Sequence, residues 1–222
     1  MQLEKSLQFL TQLRSNNDRA WFNANRSLYE EAKIEFEKLI DALIPITKEI
    51  DPEIDVASAS ECTFRIFRDT RFSHDKLPYK TNFGAFVAKG GRKSPYAGYY
   101  FHLEPGGSFA GGGIYRPDAK YLAAIRSHIY ENTEAFKKII DSADFKQYFS
   151  EIYGDRLKSS PRDFPKDFAD IHLLAYKDYA VIHRIDDFEW ISEDIMKTLR
   201  GLIKIQYPFN RFLNDAVKKV AS

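Results

Sequence analysis

The stretch "YAGYYFHLEPGGSFAGGGIY", residues 96–115, decides the fold. Both halves are rich in aromatic and β-branched residues, and the link "EPGG" carries the proline and glycines of a tight reversal. The reading is a hairpin of two antiparallel strands. Alternate side chains of a strand share a face, so Tyr100, His102 and Glu104 point one way, and about half of Tyr96, Tyr99, Tyr100 and Phe101 turn to the core. Three successive glycines, Gly111 to Gly113, weaken a strand; they imply a bulge, or a backbone or ligand lying close above them.

Working outward, "CTFRIFRD" (residues 62–69), "FGAFVAK" (83–89) and "YAVIHRI" (179–185) read as further strands. Before them, Leu3, Leu7, Leu10 and Leu13 recur at helical spacing, and "DRAWF" makes a short turn. Ser27 with Glu30 reads as a capping box opening a long helix through Phe36, Leu39, Ile40 and Leu43, which Pro45 is expected to kink or break. The last helix carries Ile195, Leu199, Leu202 and Ile203, with Pro208 expected to interrupt it. The expectation is one α+β domain over residues 1–222, with a mainly antiparallel sheet of at least four or five strands. Its parts are helical at 1–60, sheet-rich at 61–116, helical at 117–150, loop and strand at 151–187, and helical again at 190–220.

The chain has 222 residues and a formal charge of +1, which gives no overall field toward nucleic acid or membrane. No apolar run is long enough to span a bilayer, no signal peptide opens the chain, and a lone cysteine, Cys62, allows no internal disulfide. A cytoplasmic protein is expected. Residues 61–93, however, hold eight lysines and arginines against three acids, so the positive charge is local.

Most of that charge falls in "FRIFRDTRFSHDKLPYKTNF", residues 64–83. Beyond Asp69 the alternation stops and Pro78 enters, so Arg71, His74, Asp75, Lys76, Tyr79 and Lys80 belong to a loop, where functional groups concentrate on a rigid scaffold. Guanidinium groups fork onto phosphate or carboxylate, and lysine adds a point charge. One reading is therefore a site for a phosphate-bearing small molecule, built from Arg65, Arg68, Arg71, Lys76 and Lys80. Asp69 and Asp75 would orient those cations, Tyr79 and His102 would line the pocket, and Phe72 would stack on a base or sugar. His74, Asp75 and Glu104 are the acid–base candidates should the ligand be turned over. The other reading is a structural or protein-interaction module in which Asp69 and Asp75 neutralise the arginines internally. A third, nucleic-acid binding, ranks last on net charge; nothing in the sequence bears on oligomeric state.

This stretch resembles the signature of a widespread bacterial, and also fungal, family of uncharacterised conserved proteins: Arg-x-x-Arg-Asp-x-Arg-Phe followed by Asp-Lys-x-x-Tyr-Lys. The matching positions are Arg65, Arg68, Asp69, Arg71, Phe72, Asp75, Lys76, Tyr79 and Lys80. "NNDRAWFNANRSLYEE", "GYYFHLEPGGSFAGGGIYRPD" and "GDRLKSSPRDF" extend the resemblance along almost the whole chain, although Asp163 stands where the family pattern has glycine. The resemblance implies a domain of unknown function and carries over no activity, ligand or cofactor.

His102 and Glu104 have the spacing of two metal ligands, or of a base with its orienting partner, yet no third ligand lies near them in sequence, so no metal is expected. Tyr96, Tyr99, Tyr100 and Phe101 beside Arg92 and Lys93 have the composition of an aromatic-basic strip. Cys62, among core-like residues, reads as a small buried hydrophobe. No phosphate-binding loop, dinucleotide fingerprint or nucleophile elbow is present, and no cofactor is expected.

Overall fold

The computed structural model describes residues 3–69, 71 and 74–221. The chain forms α1 (Glu4–Ser15), α2 (Arg19–Ala24), α3 (Arg26–Ile50) and α4 (Ala59–Cys62) before β1 (Phe83–Val87), β2 (Gly98–Leu103) and β3 (Phe109–Ile114). Three helices follow, α5 (Ala119–Glu131), α6 (Thr133–Ile140) and α7 (Ala143–Phe149). Then come β4 (Tyr179–Arg184), α8 (Asp187–Trp190) and α9 (Ile195–Lys218). The fold is α+β.

The four strands make an antiparallel sheet in the order β1-β2-β3-β4, and the β2–β3 hairpin closes at "EPGG" with Gly107 N–H donating to the Glu104 carbonyl over 2.8 Å. The alternation in β2 separates two environments. Tyr99, Phe101 and Leu103 are buried with Phe83, Ala85 and Val87 of β1 and with Val181 of β4. Helices α3 and α9 cover that face, presenting Phe36, Leu39, Ile40 and Leu43 from one and Leu199, Leu202, Ile203 and Leu213 from the other. Burying each of these side chains stabilises the fold by about 1.5–3 kcal/mol before entropy is charged against it. Tyr100 and His102 face the other way and keep a small part of their surface exposed.

Three expectations need correction. Residues 62–69 do not form a strand. Cys62 closes α4, and the segment touches the sheet edge only through isolated bridges, Thr63 to Ala85 and Phe67 to Tyr79. The capping box that fixes this course is Ser58 with Glu61, whose Oε1 accepts from Ala57 and Ser58 N–H; it turns the chain into α4. Ser27 caps nothing: α3 begins at Arg26, and Glu30 bonds the Arg26 Nε over 2.9 Å. Pro208 does not interrupt its helix and Pro45 does not break its own, because buried rows on both sides of each proline, Leu43–Ile44 with Thr47 and Gln206 with Phe209, keep α3 and α9 docked.

Gly112 explains part of the glycine run. Its φ is +143°, and a Cβ there would lie 2.0 Å from the Gly98 carbonyl oxygen and 2.6 Å from Gln206 Nε2. The approaching group is a polar row on α9. Gln206 and Asn210 donate to the Gly98 carbonyl at 3.0 and 3.1 Å, and Asn214 both accepts from Ala97 N–H (2.7 Å) and donates to its carbonyl (3.2 Å). These buried carboxamides satisfy the irregular start of β2.

Candidate functional site

The arginine-rich loop is held by its own carboxylates. Arg68 pairs with Asp75, whose other oxygen accepts from Leu77 N–H at 3.0 Å. Arg71 forks onto Asp69 at 2.7 and 3.0 Å. Each arginine holds its partner carboxyl below the ordinary range. Arg65, His74 and Lys76 are exposed on the same loop. Tyr79 turns into the core, stacked on Phe22 at 4.0 Å, with its backbone N–H and C=O both bonded to the Asn17 carboxamide. Phe72 lies outside the described residues.

Lys80 and His102 belong to a different place. The face of the sheet not covered by helices is the floor of a cavity of about 1030 Å³. Phe86, Tyr100, His102, Phe109 and Ile182 form its base. Aromatic rings rise around it from Phe64, Tyr96, Tyr115, Tyr121 and Tyr153. Five cations also line it: Lys80, Arg92, Lys93, Arg116 and Arg184, against two acids, Glu104 and Asp118. Among the described residues none of the five is ion-paired with a carboxylate; Arg92 donates instead to the Ser60 carbonyl at 2.6 Å. Lys80 lies 5.7 Å from the Phe64 ring centroid, and burial, with help from Arg65 and Arg68, holds its ammonium below the ordinary lysine pKa.

On the floor, alternate residues of β2 are linked. Tyr100 Oη lies 3.1 Å from His102 Nδ1, and His102 Nε2 lies 3.2 Å from Glu104 Oε2. Thr81 Oγ1 donates to Glu104 Oε1 at 2.8 Å, Ser108 Oγ accepts from Glu104 N–H at 2.9 Å, and Asn82 Nδ2 lies 3.3 Å from His102 Nδ1. The carboxylate fixes the imidazole hydrogen on Nε2, so Nδ1 accepts from the Tyr100 hydroxyl. Phe109 stacks on the imidazole at 4.6 Å. Burial lowers the His102 pKa and pushes the Tyr100 phenol up to about 12, so both are neutral near pH 7. Gly84 is part of this arrangement, since a Cβ there would come within 2.7 Å of the Tyr100 hydroxyl oxygen. Such a chain can accept or deliver a proton at its Tyr100 end.

Of the residues singled out by sequence, Lys80, His102 and Glu104 meet in this cavity; Arg65, Arg68, Asp69, Arg71, His74, Asp75, Lys76 and Tyr79 are not among those that line it. The aromatic-basic strip splits as period two demands: Tyr96 and Tyr100 line the cavity with Arg92 and Lys93, while Tyr99 and Phe101 are core. Sequence reading missed Arg116, Arg184, Tyr115 and Tyr153. Arg184 is brought there by sheet register, opposite Phe109, and Arg116 by a left-handed residue conformation (φ 51°) just after β3. Cys62 is buried, and its thiol is pushed up to about 12 by burial first and then by Glu61 and Asp41. No three His, Cys, Asp or Glu side chains gather as a metal set among the described residues. No described helix is long and apolar enough to cross a membrane.

Fold and site together define an α+β protein whose antiparallel sheet has one face in the core and the other open as a cationic, aromatic cavity. The chain belongs to the conserved hypothetical protein family DUF2461, whose profile matches residues 5–212. No curated protein and no solved structure matches it.

Proposed function

We propose that the cavity binds a small phosphate-bearing ligand, with phosphate oxygens held by Lys80, Arg116 and Arg184 and a flat ring lodged among Tyr96, Tyr115 and Tyr153. One observation carries this reading: five cations line a single cavity and, among the described residues, none is neutralised by a carboxylate. Cations left with open hydrogen-bonding capacity in a concave, ring-lined site favour an anionic partner. A cytoplasmic setting, where phosphorylated metabolites abound, fits the lone thiol of Cys62. The arginine loop takes a supporting part. It stands next to the Lys80 end, and its Arg65 and Arg68 raise the local potential there.

The test is thermal denaturation against a panel of nucleotides and sugar phosphates. A ligand at a hundred times its Kd adds about 2.7 kcal/mol, or several degrees for a chain of this size. A shift that Arg184→Ala and Lys80→Ala both lose supports the reading. No shift with any compound, or shifts that both variants retain, refutes it.

A second reading holds for the loop itself. The Arg68–Asp75 and Arg71–Asp69 pairs favour an internal ion-pair network at residues 68–75, independent of ligand.

A further inference from the structure

The Tyr100–His102–Glu104 chain has a direction, and reversing it changes what the cavity offers. We propose that oxyanion binding in the cavity is coupled to uptake of one proton at His102 Nδ1, which turns the Tyr100 hydroxyl from a donor to the imidazole into a donor to the ligand. This rests on the oxyanion reading above and adds how the site recognises charge.

Glu104 is fixed by Thr81 Oγ1 at 2.8 Å and through its own N–H by Ser108 Oγ at 2.9 Å. The imidazole Nε2–H is therefore committed to Glu104 in either protonation state. Nδ1 is the only place a second ring proton can go. While Nδ1 is bare, Tyr100 spends its hydrogen on it over 3.1 Å, and a ligand meeting the phenol finds only lone pairs. An oxyanion is repelled by that arrangement. Once Nδ1 carries a proton, the phenol oxygen accepts from it and its own hydrogen is free for the anion. Asn82, 3.3 Å from Nδ1, follows by presenting its carboxamide oxygen. The proton comes from solvent, and no covalent bond to the ligand forms or breaks.

The charged groups around His102 set the balance. On its own strand Glu104 favours the imidazolium; before β1, Lys80 opposes it. Across the sheet β3 contributes only the Phe109 ring, and β4 brings Arg184 to the cavity beyond it. An anion held beside Lys80 offsets that repulsion, and Arg184 gives the anion a second cation to rest against. Proton and anion then favour each other reciprocally, as linkage requires. Burial keeps His102 neutral in the empty site, so the proton arrives with the ligand.

Sulfate is the probe, because it does not titrate near neutrality. Calorimetric titrations of wild-type protein at about pH 7.5, in buffers of different ionisation enthalpy, should report proton uptake on binding, and affinity should fall about tenfold per pH unit above the His102 pKa. His102→Gln should bind sulfate without uptake and with a flat pH profile. Tyr100→Phe, which keeps the ring, should lose about tenfold in affinity at the acid end and nothing at the alkaline end. Sulfate binding without proton uptake, or uptake that His102→Gln retains (placing the proton on Lys80), overturns the coupling and leaves the oxyanion reading standing. Absence of any sulfate binding overturns both.

Discussion

Gly84→Ala is the substitution whose outcome depends most narrowly on the arrangement of the cavity floor. The new Cβ would stand 2.7 Å from the Tyr100 hydroxyl oxygen and 3.3 Å from Cζ, with no other contact as close. The backbone accepts alanine there, since Gly84 has no left-handed φ, and replacing a strand glycine gains about 0.5–1 kcal/mol. Overpacking against the phenol costs about 1–3 kcal/mol, so Gly84→Ala should destabilise by about 1–2 kcal/mol net. Removing the hydroxyl removes the 2.7 Å contact and leaves one at 3.3 Å, which a ring shift of a few tenths of an ångström relieves. In a Tyr100→Phe background the same alanine should therefore be neutral or slightly stabilising, giving a coupling of about 1–3 kcal/mol, the overpacking cost itself, in a double-mutant cycle read by urea denaturation. A cost equal in both backgrounds to within about 0.5 kcal/mol would refute the placement of Tyr100 over Gly84.

Other predictions follow from the same geometry. Asn214→Ala strands the buried N–H and C=O of Ala97 and should cost about 2–4 kcal/mol in chemical denaturation, whereas a substitution at the exposed Ser127 should leave stability near wild type. Arg68→Ala breaks an ion pair with an exposed carboxylate and should leave the melting temperature close to wild type, in contrast to what removal of a buried pair would do. His102 is held below the ordinary imidazole value of 6.5, so the folded state without ligand binds fewer protons than the unfolded one in that range. Its contribution is complete above that value and is lost as pH falls through the depressed pKa; His102→Gln should flatten this acid-side loss in a pH series of melting curves.

How much of this was legible in the sequence differs by element. The β2–β3 hairpin was, because turn residues and period-two alternation agree there, and the same alternation put Tyr100, His102 and Glu104 on one face. The segment 62–69 misled because its composition is that of a strand. Its course is set instead by Asp41 accepting from Ala59 N–H, and by the Ser58–Glu61 box, whose S-x-x-E spacing was the available signal. The arginine loop drew attention by charge density and by its signature; the sequence offered both an open anion site and internal neutralisation, and spacing along the chain does not choose the pairing of Asp69 with Arg71 and Asp75 with Arg68. Arg116 and Arg184 were out of reach for the converse reason. They are far from residues 61–93 in sequence and reach the cavity only through sheet register and one left-handed residue.

The most direct test of the cationic cavity is a crystal soaked with sulfate or a nucleoside phosphate. Tetrahedral density on the open face of the sheet, within hydrogen-bond reach of Lys80, Arg116 or Arg184, is the expected result. Density confined to the loop at Arg65 to Lys76, or none on the open face, would contradict the account.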